Sequence, residues 1–212
     1  MLIKDIMTKN VITIPSDTPV SEAKRIMKEH RFRRLPVVDK GRLVGLVTED
    51  RLDRVSHPAT APSLWQVAWL ISKTTVADVM QKEVVTIGPE ATVEQGVALA
   101  QSRGVGSLLV VENDSIVGIA TTNDFFYRIV NPTLGIGESG TRVFVHKGGE
   151  GKAAQEIIAC INRLGIGIKV LWSIPSSKTK RKDLVIHLDT EDATQVIKDL
   201  QAIGYKANVD LR

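Results

Sequence analysis

Apolar positions along this chain switch between two periods, and each switch marks an element. Val20, Ala23, Ile26 and Met27 recur at helical spacing. "LPVVD" at 35–39 and "LVGLVT" at 43–48 are apolar runs of strand length, parted by the turn formers Lys40 and Gly41. A shorter run, "VITI" at 11–14, precedes the helix, and the polar residues after Thr48 open another. The order predicted is β-α-β-β-α. Later in the chain the same order returns, with "VVTI" at 84–87, a helix opening after Thr92, "LLVVE" and "IVGIAT" on either side of Asn113 and Asp114, and a helix after Thr121. The first helix is expected to start with Thr18 as cap and Pro19 in its first turn, the second with a Thr92–Gln95 capping box.

Sliding the chain by 73 residues aligns 3–48 with 76–121 without a gap and yields 13 identities in 46 positions. Chance at ordinary composition would yield roughly 3. Asp5/Asp78, Met7/Met80, Gly45/Gly118 and Thr48/Thr121 are among the matched pairs. The chain therefore carries a duplicated module.

Beyond "NPTLGIGESGT" at 131–141, whose glycines and proline read as a linker, the pattern changes. Strand "RVFVH", a helix over 151–164, strand "IGIKVLWSI", a basic loop, strand "DLVIHL", a helix over 192–203 and strand "KANVDL" follow. This is the split βαβ, ferredoxin-like order. The expected fold class is α/β (α+β), divided into 1–60, a helical insert 61–75 carrying Trp65 and Trp69, 76–132, a linker 133–140 and 141–212.

The elements "DIM…VITI", "RRLPVVD" and "GLVT", repeated over about 125 residues, resemble the cystathionine-β-synthase (CBS) domain. Two in tandem resemble a Bateman module, whose copies pack about a pseudo-twofold axis. The insert before the second copy is similar to that of AcuB-type acetoin-utilisation proteins. The last segment resembles an ACT domain, with "KGGEGKA" at 147–153 in place of that family's usual turn. Gly148, Gly149 and Gly151 could present amides to a carboxylate there, or be plain loop. The resemblance implies a regulatory, non-catalytic protein that binds an adenosine nucleotide. AMP or ATP comes first, with NAD or S-adenosylmethionine as alternatives, and a homodimer is implied, Trp65 and Trp69 serving a contact or the core.

The resemblance further implies two clefts, each built by both copies. One combines Ile119, Thr121 and Asp124 of the second copy with Met7, Asn10, Ile12, Phe32, Arg33, Arg34 and Pro36 of the first. Ribose hydroxyls need an acceptor and phosphates need cations, and this cleft has both. The other combines Thr48, Asp50 and Arg51 with Met80, Glu83, Val85, Val105, Gly106 and Ser107, and has Arg51 where the acid should stand. It is expected to be the weaker site. Arg33 and Arg34 also read as exposed helix-end cations, and Asp124 as a helix N-terminal acid favoured by the dipole.

Charge and composition narrow the remaining classes. The formal net charge is +4, with cations gathered at 24–34 and 178–182. Both clusters could meet nucleic acid, the alternative reading, but aromatic residues are only 4% of the chain and do not interleave with them, which disfavours base stacking. His30, His57, His146 and His187 lack metal-ligand spacing, and no nucleophile elbow or phosphate loop occurs. Neither a catalytic residue nor a metal site is expected. The longest apolar stretch, 63–71, falls short of the roughly 20 residues a membrane helix needs, and without a signal-peptide pattern a cytoplasmic protein is expected. Cys160 reads as a small buried hydrophobe.

Overall fold

The computed structural model describes residues 1–56, 73–176 and 181–210; Trp65, Trp69 and most of the basic loop 178–182 lie outside them. The chain divides into two compact units, Met1–Phe125 and Phe126–Arg212.

The first unit contains both copies of the repeat. Copy one runs α1 (Ile3–Ile6), α2 (Val20–His30), β1 (Arg34–Asp39), β2 (Arg42–Thr48) and α3 (Glu49–Ser56). Copy two runs α4 (Val76–Val79), β3 (Thr86–Ile87), α5 (Val93–Arg103), β4 (Ser107–Glu112), β5 (Ser115–Thr121) and α6 (Thr122–Phe125). The two hairpins match residue for residue. Arg34 pairs with Thr48 and Ser107 with Thr121, and both ladders slip at the same place, Val37/Val38 and Val110/Val111. Their turns take positive φ at both central residues, 49° and 79° at Lys40 and Gly41, 48° and 61° at Asn113 and Asp114. Such turns carry the right-handed strand twist through a two-residue loop.

Two expectations are corrected here. Pro19, not Thr18, is the N-cap of α2, so the proline lies one position before the first helical turn. Pro19 stands where copy two has Thr92, whose hydroxyl does accept from the Gln95 N–H at 3.2 Å while its own N–H reaches the Gln95 side chain at 2.9 Å. The predicted strand 11–14 also reduces to a single parallel bridge, Ile14 with Val37. In copy two the strand survives, and Leu109 N–H donates to Val85 at 3.2 Å. The residue of copy one in that position is Pro36, which has no N–H to give.

The copies interlock through their leading turns. Thr8 exchanges backbone hydrogen bonds with Ile119 at 2.9 and 3.0 Å, and Gln81 exchanges them with Leu46 at 2.8 and 2.9 Å. Met7 lies over Gly118 and Met80 over Gly45, so close that a Cβ on either glycine would sit 2.4 or 2.5 Å from the sulfur. Every contact has its counterpart 73 residues on, which is the pseudo-twofold relation in hydrogen bonds. Val76 of copy two is buried with Val20, Ala23, Met27, Leu35, Val37, Val47 and Leu52 of copy one.

The second unit opens with a π-helical stretch, Phe126–Val130, and α7 (Asn131–Leu134). Then come β6 (Thr141–Val145), α8 (Gly151–Arg163), β7 (Ile168–Pro175), β8 (Lys182–Leu188), α9 (Thr194–Ala202) and β9 (Ala207–Asp210). The strands form one antiparallel sheet in the order β7-β8-β6-β9, the arrangement of a ferredoxin-like split βαβ unit. Val143, Val145, Leu184, Ile186 and Leu188 bury one sheet face against Ile157, Cys160 and Ile161 of α8 and Val196 and Leu200 of α9. The glycine-rich stretch read as linker packs on the sheet: Arg142 donates to the carbonyls of Leu134 and Gly135, and His187 Nε2 meets the Ser139 carbonyl at 3.0 Å.

Gly118→Ala is expected to destabilise the first unit by about 1–3 kcal/mol, because the new methyl must displace a buried methionine and meets the Thr8 carbonyl at 3.1 Å. Chemical denaturation of the single variants and of Gly118→Ala with Met7→Ala should show a coupling of opposite sign to the single losses. Strict additivity would remove the interlock from the account.

Candidate functional site

The Asp-x-Met element explains how each cleft is floored. In α4, the Asp78 carboxylate accepts the Thr75 N–H at 2.8 Å and its hydroxyl at 2.9 Å. In α1, Asp5 accepts the Leu2 N–H at 2.8 Å. The acid closes a four-residue helical turn, and the turn aims the following methionine across at the other copy's glycine. These carboxylates therefore serve the fold. Hydrogen bonding from Thr75 holds Asp78 below the usual carboxylate range, and the Ser16 side chain, together with its N–H at 2.9 Å, does the same for Asp39.

At the first crossing the structure brings Met7 together with Ile119, Thr121 and Asp124, and adds Thr8. Thr121 caps α6, its N–H and hydroxyl donating to Asp124 Oδ2 at 2.8 and 2.6 Å. The Thr8 hydroxyl donates to Asp124 Oδ1 at a longer 3.2 Å. An apolar wall of Met7 and Ile119 thus meets a carboxylate held at a helix start by two threonines. Thr8 escaped the sequence reading because its counterpart is Gln81; only the paired backbone bonds single it out.

At the related crossing the acid is missing. Arg51 occupies the position of Asp124 and donates to the Val79 carbonyl at 3.3 Å, while Asp50 is exposed. Met80 covers Gly45, Thr48 ends β2, and Ser107 is buried at the start of β4. Val85, Val105 and Glu83 line a cavity of about 410 Å³ with Gln81, Val84, Thr86, Leu99 and Arg103. Arg103 is a cation the sequence reading missed; its counterpart is His30, at the end of the other long helix.

The remaining predicted residues are dispersed. Asn10 is exposed in a left-handed conformation, φ 57°, Ile12 packs against the core of copy one, and Pro36 is buried in β1. Arg34 reaches into copy two, its Nη2 lying 2.8 Å from where a Gly106 Cβ would be, beside Thr122. Phe32 and Arg33 line a different cavity, of about 630 Å³, together with α2 and Glu49.

In the second unit, three amides of the "KGGEGKA" loop, among them those of Gly148 and Gly149, already have partners. Lys147 N–H donates to the Asp183 carboxylate at 2.8 Å, and Gly148 and Gly149 donate to the carbonyls of Val145 and Lys182 at 3.3 and 3.0 Å. Asp183 sits where an incoming carboxylate would have to bind. Among the described residues no group of three His, Cys, Asp or Glu side chains is placed to hold a metal ion.

The CBS domain family matches residues 3–57 and 76–131, together more than half of the chain. The CBS domain-containing protein YhcV of Bacillus subtilis is 30% identical over 122 residues, which cover 58% of this chain and 81% of that protein. Inosine-5'-monophosphate dehydrogenase of Korarchaeum cryptofilum is 33% identical over 133 residues, 62% of this chain. The chain spans only 25% of that enzyme's length. Among solved structures, AcuB from Vibrio cholerae, named for acetoin utilization, is similar with a TM-score of 0.52 at 26% identity, over 62% of this chain and 91% of that one.

The Asp78 cap has a pH signature. Its folded carboxyl is the stronger acid, so its contribution is complete above about pH 4 and is lost as pH falls through the lower folded value. Comparing wild type with Asp78→Asn by denaturant unfolding should give a stability difference that is constant above about pH 4 and shrinks below it. A difference that persists unchanged to about pH 2 would mean that the ionised carboxylate is not what caps α4.

Proposed function

The chain belongs to the CBS-domain family as a tandem pair, and from that premise we propose that it is a regulatory, non-catalytic sensor of an adenosine nucleotide. The ligand occupies the crossing of Met7 and Thr8 with Ile119, Thr121 and Asp124. AMP or ATP is the first candidate, with NAD and S-adenosylmethionine as alternatives. One observation carries the reading: of two crossings with the same backbone, one holds a carboxylate on two threonines and the other has Arg51 in its place. A ribose hydroxyl can take the place of the Thr8 hydroxyl, whose 3.2 Å bond to Asp124 is the longest of the three that threonine donors make to it in this cluster. Arg34, with Asn10, Ile12 and Pro36, completes the proposed site from copy one, while Phe32 and Arg33 line the separate hollow beside α2. The cleft of Thr48, Asp50, Arg51, Met80, Val85, Val105 and Ser107 is the weaker one.

The second unit is read as ACT-like, a reading its strand order supports. Ligand occupancy in the first unit is then passed to a downstream protein through the second. Likeness to AcuB supports a place in acetoin utilisation. The enzymatic activity of the dehydrogenase does not come to this chain, which spans a quarter of it. No helix among the described residues is long and apolar enough to cross a membrane.

Calorimetric titration with AMP and with adenosine tests the site. Asp124→Ala removes a charge-assisted contact worth roughly 1.5–3 kcal/mol and should weaken binding by about ten-fold or more, with Asp50→Ala nearly neutral. Arg34→Ala should penalise AMP more than adenosine. Equal losses from Asp50→Ala and Asp124→Ala would end the claim of one dominant cleft.

The proposed homodimer is read by sedimentation of the full chain at micromolar concentration. A species twice the 23.2 kDa chain mass is expected, and a monomer would remove the dimer.

A further inference from the structure

One concavity belongs to neither crossing. It encloses about 630 Å³ over the outer face of α2, and none of Ile119, Thr121 or Asp124 lines it. That volume suits a small molecule. Five of its nine lining residues are cations, Lys24, Arg25, Lys28, Arg31 and Arg33, against the single acid Glu49.

The cations are not equally engaged. Lys24 pairs with Asp53 at 2.7 Å, and Arg25 with Glu22 and Glu29 at 2.8 Å each. Arg33 approaches Glu49 only to 3.9 Å. Neither Lys28 nor Arg31 has an acidic partner among the described residues. Attraction to the helix dipole favours a cation both at Lys28 in the last turn of α2 and at Arg31, its C-cap, but it does not call for an arginine where the backbone is left-handed. Arg31 caps the helix at φ 56° and ψ 36°, a left-handed conformation that the other copy gives to Gly104 at φ 62° and ψ 33°. Glycine takes that conformation without steric cost and an arginine does not, so the fold tolerates strain that sets a guanidinium at the rim. Beside it Phe32 is 38% exposed and stacks on His30 with ring centroids 5.5 Å apart, over a floor that includes Met27.

We propose that this concavity binds a phosphate monoester. Lys28 and Arg31 hold the dianion, and Phe32 with Met27 seats its apolar or aromatic body. Two unpaired cations match the charge of one such group. The lone exposed aromatic ring in a bounded hollow fits a small molecule better than a nucleic-acid strand, which is bound along an extended track of stacking residues. The site is independent of the ligand assigned to the crossing of the copies.

The test is titration of the full chain with phenyl phosphate at fixed ionic strength, followed by calorimetry and by thermal unfolding. Wild type should bind at millimolar concentration or below, and more tightly than it binds inorganic phosphate. Lys28→Ala and Arg31→Gly should each weaken phenyl phosphate by about ten-fold. Arg31→Gly should at the same time leave the ligand-free unfolding temperature unchanged or raised, since it relieves the left-handed cap; this separates lost binding from lost structure. Asp124→Ala distinguishes the two sites. An equal loss there would return the phosphate to the crossing and overturn this proposal while sparing the other. Affinity unchanged in both Lys28→Ala and Arg31→Gly would overturn it, as would no binding to wild type. Displacement of phenyl phosphate by random-sequence DNA with a steep salt dependence would also overturn it, assigning the cations to a nucleic-acid backbone.

Discussion

A methionine lying on a glycine, made twice, sets the architecture of the first unit. Met7 can approach Gly118, and Met80 Gly45, only because neither glycine has a Cβ, and the flanking Thr8–Ile119 and Gln81–Leu46 bonds hold the leading turn of each copy on the last strand of the other. Neither copy completes its own sheet, since the residues that cover its final strand come from the other copy. The helices, the hairpins and the two crossings follow from that exchange. So does the position of Asp124, one turn beyond the bridge on the same strand end.

Because the backbone relation is so nearly symmetric, each departure from it isolates the effect of one side chain. Pro36 in place of Leu109 takes one N–H from the ladder and shortens the first strand to a bridge. Arg51 in place of Asp124 reverses the charge at a crossing and turns the side chain to a carbonyl of the other copy. Arg31 in place of Gly104 keeps the left-handed cap and adds a cation. Duplication supplied two similar frames, and these three substitutions are among those that made them chemically unequal.

The second unit settles its polar groups differently. Asp183 is 5% exposed and closes the loop after β6 from the neighbouring strand, with His146 Nδ1 3.9 Å away. Arg142 lies over Trp172 with 5.5 Å to the ring centroid and donates from Nη2 to the Leu134 and Gly135 carbonyls at the end of α7. A buried carbonyl without a donor is costly, so a strand arginine and His187 fix a stretch whose composition suggests freedom.

The sequence by itself determined what depends on local chemistry: the repeat, the two long helices, the positive-φ turns at 40–41 and 113–114, the Thr92–Gln95 cap, and the βαββαβ order of the last segment. Periodicity, capping and turn preference act within a few residues, so they can be read along the chain. The strand at 11–14 misled because its length depends on a donor that Pro36 lacks, 22 positions further on. Thr8 and Arg103 carried no local signal at all. Which predicted residues meet was decided only by tertiary structure: Asp124 came to the turn that carries Met7, where Thr8 bonds it, while Phe32 and Arg33 turned to the hollow beside α2. The physical reason is that a site between two copies is made by packing across a pseudo-twofold axis, and side-chain reach across that axis is not written in spacing along the chain.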